Sequence, residues 1–157
     1  MKDKMTIIFF SGTMDKAYAM LMLSTTAAAM DMDVDVFFTF WGLSFLKNRK
    51  IYAKKGVLQK MMEFMMPKNM KSLPLATMNF LGLGPVMMNA LMAQQKTPSV
   101  EELYKSAKEL GVKFYACSTS CGIMGVGKDN MIPGVDDMVG AAAFLEKAKA
   151  AKINLFI

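Results

Sequence analysis

Lys113-Phe-Tyr-Ala-Cys117-Ser-Thr-Ser-Cys121-Gly-Ile-Met-Gly-Val126 changes character half-way along. Phe114, Tyr115 and Ala116 form a short apolar run, and Cys117 stands where it gives way to the hydroxyl residues Ser118, Thr119 and Ser120, which favour helix starts and turns. A cysteine is thereby set at the end of a strand. The hydroxyl residues can cap the turn that follows, so unpaired backbone N–H groups from Thr119 to Gly122, and the positive end of a helix dipole, face the Cys117 sulfur. Such surroundings lower a thiol pKa and favour thiolate. The alternative for Cys117 is a buried small hydrophobe.

Upstream, Ser99 to Glu102 is a capping box after Pro98, opening a helix to Leu110 that stops at Gly111, with a strand over Val112 to Ala116. Downstream, Asp136 to Ala150 has acids in its first turn and lysines towards its end, which predicts a helix, and Ile153 to Ile157 reads as a buried strand. The beginning of the chain has the same grammar. Lys4 to Ser11 is a β-branched and aromatic strand, Ser11-Gly12-Thr13 a tight turn, Thr13 to Met30 a helix, and Val34 to Phe40 a second strand ending in Trp41-Gly42. The alternation predicts an α/β fold, with a parallel sheet of four or five strands between helices.

The expected topology puts the strand before Cys117 on the far side of the first strand, so that chain order reverses between them. A crevice then opens at the carboxyl ends, with Ser11, Gly12 and Thr13 as one wall and Cys117 to Cys121 as the other. Cys117 is the expected nucleophile. Cys121 lies one helical turn further, where a disulfide would need distortion. A resolving or sulfur-accepting role and plain core packing both remain open for it.

The 157 residues suit one domain, and 54% hydrophobic content is ample for one core. No secretory signal is visible between Met1 and Asp15, so a reducing, cytoplasmic setting is expected. The chain has no histidine, which excludes Ser-His-Asp and Cys-His activation. Two cysteines alone do not close a zinc site, and methionine doublets without histidine or cysteine companions read as core filling, so no metal is expected. No cofactor is expected either, since Ser11-Gly12-Thr13 carries neither a Gly-x-Gly-x-x-Gly fingerprint nor a P-loop lysine.

Residues 47–95 form an insert. Lys47, Arg49, Lys50, Lys54, Lys55, Lys60, Lys68 and Lys71 face Glu63 alone, so the insert is net +7 and the rest of the chain −1. Ser72 to Gln95 then carries no charge, and its prolines and glycines argue for a broken hairpin or two short helices rather than a membrane span. Peripheral contact with the inner face of an anionic membrane, a subunit or partner surface, and a fold-back with a solvated lysine rim all fit. The subunit or partner surface is the preferred expectation. Nucleic acid is not expected, because the lysines are not interleaved with aromatics in a binding motif.

Phe37-Phe38-Thr39-Phe40-Trp41-Gly42-Leu43, Met66-Pro67, Leu73-Pro74-Leu75 with Met78-Asn79-Phe80, Gly84-Pro85, Ala116-Cys117 with Ser120, and Met124-Gly125-Val126 together resemble the DsrE/DsrF-like family. Within it the chain is similar to the Met-rich branch often labelled "peroxiredoxin family". The resemblance implies a flavodoxin-like subunit in trimers or hexamers, working in sulfur metabolism beside TusA-like or rhodanese-like partners. It further implies that Cys117 carries sulfane sulfur as a persulfide. A thiol peroxidase or disulfide oxidoreductase using Cys117 and Cys121, and a binding module without chemistry, are the alternatives.

Overall fold

The computed structural model describes residues 2–52 and 55–157; Lys54 of the basic stretch lies outside them. Five parallel strands form one sheet in the order β4-β3-β2-β1-β5: β1 (Lys4–Phe9), β2 (Asp33–Phe38), β3 (Lys113–Cys117), β4 (Asp137–Val139) and β5 (Ile153–Phe156). Helix α1 (Met14–Ala29) links β1 to β2. The path from β2 to β3 runs through the short α2 (Leu43–Leu46), the insert helices α3 (Val57–Met65) and α4 (Leu83–Gln94), and α5 (Val100–Glu109). After β3 come α6 (Ser118–Met124) and α7 (Ala141–Lys149), on either side of β4.

α1 and α5 pack together over one face of the sheet. Phe9, Phe38, Phe45 and Phe114, all fully buried, meet there in edge-on and stacked pairs. Ser99 caps α5 as its sequence predicts, its hydroxyl accepting from the Glu102 N–H while the Glu102 carboxylate accepts from the Ser99 N–H. The other face is thinner. Phe37 and Cys117 point into it, and Phe144 of α7 stacks on Phe37 with ring centres 4.5 Å apart.

Three expectations are corrected. β3 pairs with β2, and the neighbour on the far side of β1 is β5. With α5 docked on α1, a right-handed crossover carries β3 onward in the direction already taken from β1 to β2. Second, Asp136 and Asp137 do not open a helix: Asp137–Val139 is β4. The Asp136 carboxylate instead accepts from the Phe114 N–H at 2.8 Å and from Lys108 Nζ at 2.7 Å, fastening this segment to the start of β3. Third, β5 is not buried. It has one neighbour strand, and Ile153 and Phe156 face outward.

Two of the insert's lysines depart from a solvated rim, while Arg49, Lys60, Lys68 and Lys71 are exposed. The side chains of Lys47 and Glu63 are wholly buried and Lys55 nearly so. One Glu63 oxygen accepts from Lys47 Nζ at 2.6 Å and the other from Lys55 Nζ at 2.8 Å. Burial alone would raise the Glu63 carboxyl and lower the Lys47 ammonium; the two lysines nevertheless hold Glu63 below its usual range, while Lys47 stays below its own. Removing one member would leave an unmatched charge out of water, which makes the cluster a fastener for the insert.

Candidate functional site

Cys117 is the last residue of β3, with extended backbone, and the chain turns into α6 at once. Its side chain belongs to the thin face, against Phe37 and Phe144, and the residue is 6% exposed. Burial by itself raises a thiol pKa. The Cys117 thiol is nonetheless held below its ordinary value, because the hydroxyl and N–H of Ser120, the Thr39 hydroxyl and the Thr119 N–H converge on it. The Thr39 and Ser120 hydroxyls also lie 2.7 Å apart, bonded to each other. Each has one proton, so whichever hydroxyl accepts in that bond is the one left to donate to sulfur.

Cys121 has different surroundings. It lies inside α6, in the main core with Met124 and Val126, and is 2% exposed. Burial, and then the neighbouring Cys117 charge, push its thiol up to about 12. Both cysteines are free.

Of the other sequence-derived residues, Ser120 and Thr119 reach the sulfur, while Ser118 is exposed beside Gly140. The Gly122 carbonyl is engaged by the insert, accepting from Gln59 Nε2 at 3.1 Å. Ser11, Gly12 and Thr13 do not form the opposite wall, because the end of β2 lies between β1 and β3. They line a separate hollow of about 230 Å³ with Trp41, Met62, Met66 and Pro74, and the Ser11 hydroxyl accepts from Lys16 Nζ at 3.0 Å. Thr39 takes the place the crevice argument gave them. Its signal was present in the chain: it is the one hydroxyl within Phe37-Phe38-Thr39-Phe40-Trp41, just where a strand ends.

At family level, residues 1–156 match as a whole. The chain belongs to the DsrE/DsrF/DrsH-like family. Among its relatives, the sulfur carrier protein DsrE2 of Allochromatium vinosum is 36% identical over 158 residues, covering 99% of both chains. YrkE of Bacillus subtilis, itself described as uncharacterized, is 37% identical over 153 residues, covering 97% of this chain and 95% of its own. The YchN protein from E. coli aligns over 100% of both chains at a TM-score of 0.57 and 11% identity, which shows a shared fold. The family match runs through residues 47–95.

Proposed function

We propose that the chain is a sulfur carrier that holds sulfane sulfur on Cys117. The observation that carries this reading is the convergence of Ser120, Thr39 and Thr119 on a thiol that burial alone would have kept protonated. Cys117 thiolate attacks the outer sulfur of a donor persulfide, R–S–SH. The donor S–S bond breaks, R–S⁻ leaves, and Cys117–S–SH forms with the proton retained on the outer sulfur. An acceptor thiolate then attacks that sulfur, takes it as its own persulfide and returns Cys117 as thiolate, so the cycle needs no oxidant or reductant. The donors that move the thiolate down and stabilise it also stabilise the persulfide anion. The name of the DsrE2 relative, a sulfur carrier, agrees with this chemistry.

In this reading the subunits assemble into a trimer or hexamer, and donor and acceptor are persulfidated cysteines of TusA-like or rhodanese-like proteins. The exposed cations of the insert steer an acidic carrier to the site. A peroxidase or disulfide oxidoreductase using both Cys117 and Cys121 would need Cys121 to attack or resolve, and a thiol pushed up to about 12 in the core is poorly suited to that.

Intact-protein mass spectrometry after exposure to polysulfide tests the proposal. A reducible adduct one sulfur heavier, lost in Cys117→Ser and kept in Cys121→Ser, is the expected result. Loss of two hydrogens that requires both cysteines would replace the carrier by a redox enzyme.

A further inference from the structure

Helix α3 is built inside out. An amphipathic helix on a water-soluble domain turns its apolar stripe inward and its charges outward. Here Glu63 is wholly buried and Gln59 turns inward to the Gly122 carbonyl, whereas Val57, Leu58, Met61, Phe64 and Met65 all face outward, Phe64 at 74% exposure. The stripe has helical spacing on the side opposite the buried carboxylate. Helix α4 goes further: it carries no charge, buries only Gly84, and leaves Leu83, Val86, Met87 and Leu91 open.

Between them lies a fixed apolar tip. Met78, Phe80 and Leu81 have φ of 58°, 40° and 56°, a left-handed region that is strained for bulky side chains. The conformation is held because Gly84 fits against the Met78 carbonyl, where a Cβ would come within 2.1 Å. Leu81 projects with its whole side chain exposed. The two helices approach one another at Pro74, which lines both the hollow that holds Met65 and Trp41 and the hollow that holds Leu81 and Val86.

The fringe of this face is cationic. Lys50 Nζ lies 5.5 Å from the Phe64 ring centre and donates to the Phe64 carbonyl, and Lys60 and Lys68 are exposed on the same segment. Lys71 is paired with Glu101, outside the insert. The insert's own single carboxylate is buried in the lysine cluster, so it offers no exposed anion to balance the fringe. Two copies meeting here would bring like charges together, since the insert is net +7 and the chain +6. An anionic surface with an apolar interior satisfies both features at once.

We propose that the α3–α4 face docks on an anionic phospholipid bilayer. Phe64, Phe80, Leu81 and Val86 enter the acyl boundary, Trp41 sits at headgroup level, and Lys50, Lys60 and Lys68 meet the phosphates. The chain lies on the surface: among the described residues, no helix is long and apolar enough to cross a membrane. Because Gln59 ties α3 to α6, docking holds the Cys117 helix beside the bilayer.

Flotation of the purified full chain with vesicles tests this without any sulfur chemistry. The protein is expected to float with vesicles of mixed phosphatidylcholine and phosphatidylglycerol, to stay down with phosphatidylcholine alone, and to lose much of its binding in high salt. Phe80→Asp with Leu81→Asp should abolish flotation, and Lys60→Gln and Lys68→Gln should each lower partition roughly fivefold. Unchanged Cys117 alkylation would show that these surface variants keep their fold. Absence of flotation on anionic vesicles overturns the proposal, as does an oligomer that binds no vesicles and that Leu81→Asp dissociates, which would assign the face to a second copy. Undiminished flotation of the double aspartate variant overturns it too.

Discussion

Cys117 and Cys121 are four residues apart, both free and both buried, and their thiols move in opposite directions. The difference comes from their place on the backbone. Cys117 stands at the junction of strand and helix, where first-turn amides have no partner within the helix and turn towards the sulfur. Cys121 is one turn further in, with apolar neighbours and no donor directed at it, so burial acts unopposed. Burial alone therefore says little about cysteine reactivity; the count of donors aimed at the sulfur decides it.

The most severe break in this contrast is Cys117→Ser, which should eliminate sulfur loading in the mass spectrum while Cys121→Ser leaves it intact. Next in size is Glu63→Gln. It leaves two lysines without their carboxylate and should cost about 3–5 kcal/mol in denaturant unfolding if the insert melts together with the domain. Because α3 also holds the Gly122 carbonyl through Gln59, the same variant should open Cys121 to alkylation in the native protein, whereas wild type should alkylate at Cys117 alone.

Ser120→Ala should raise the pH midpoint of Cys117 alkylation and slow the reaction at neutral pH by roughly tenfold, the effect of losing a hydrogen bond to a charged group. Thr39→Val, which leaves the Ser120 hydroxyl able to donate, should shift both in the same direction by less. Cys121→Ala should leave that profile in place and cost only about 1 kcal/mol of packing.

Unfolding as a function of pH separates the pair by sign. A native thiol held low adds stability as pH rises from its native pKa to the unfolded value, which is the Cys117 case. Cys121 does the reverse: an unfolded thiol ionises through its ordinary 9.0 while the native one stays protonated up to about 12, so stability is withdrawn across that window. Cys121→Ala should therefore flatten the alkaline loss.

The parallel α/β class and the strand-end cysteine were legible because they rest on local patterns: apolar runs of strand length, a capping box at Ser99, and hydroxyls directly after Cys117. Strand neighbours were not, since β2 and β1 are equally good partners for β3 by composition, and the docking of α5 on α1 selects between them. Asp136 shows the same limit. Its position suits a helix start, but its carboxylate is engaged by the Phe114 N–H and Lys108, contacts that exist only after folding. Thr39 escaped for a related reason: its 81-residue separation from Ser120 carries no spacing signal. The insert's inverted helix could not be read either, because amphipathic spacing marks an apolar side without saying which way it points.

Gly12 and Gly42 have a mechanical consequence. A Cβ on Gly12 would come within 2.1 Å of the Trp41 carbonyl oxygen, and one on Gly42 within 2.1 Å of the Phe9 carbonyl oxygen. The ends of β1 and β2 are thus locked together like meshed teeth, and the Thr39 N–H is bonded to the same Phe9 carbonyl at 3.1 Å. Thr39 therefore cannot swing with a flexible loop. The hydroxyl that reaches towards Cys117 takes its aim from two glycines on the far side of β2, and a methyl group added to either would misdirect it without touching the sulfur.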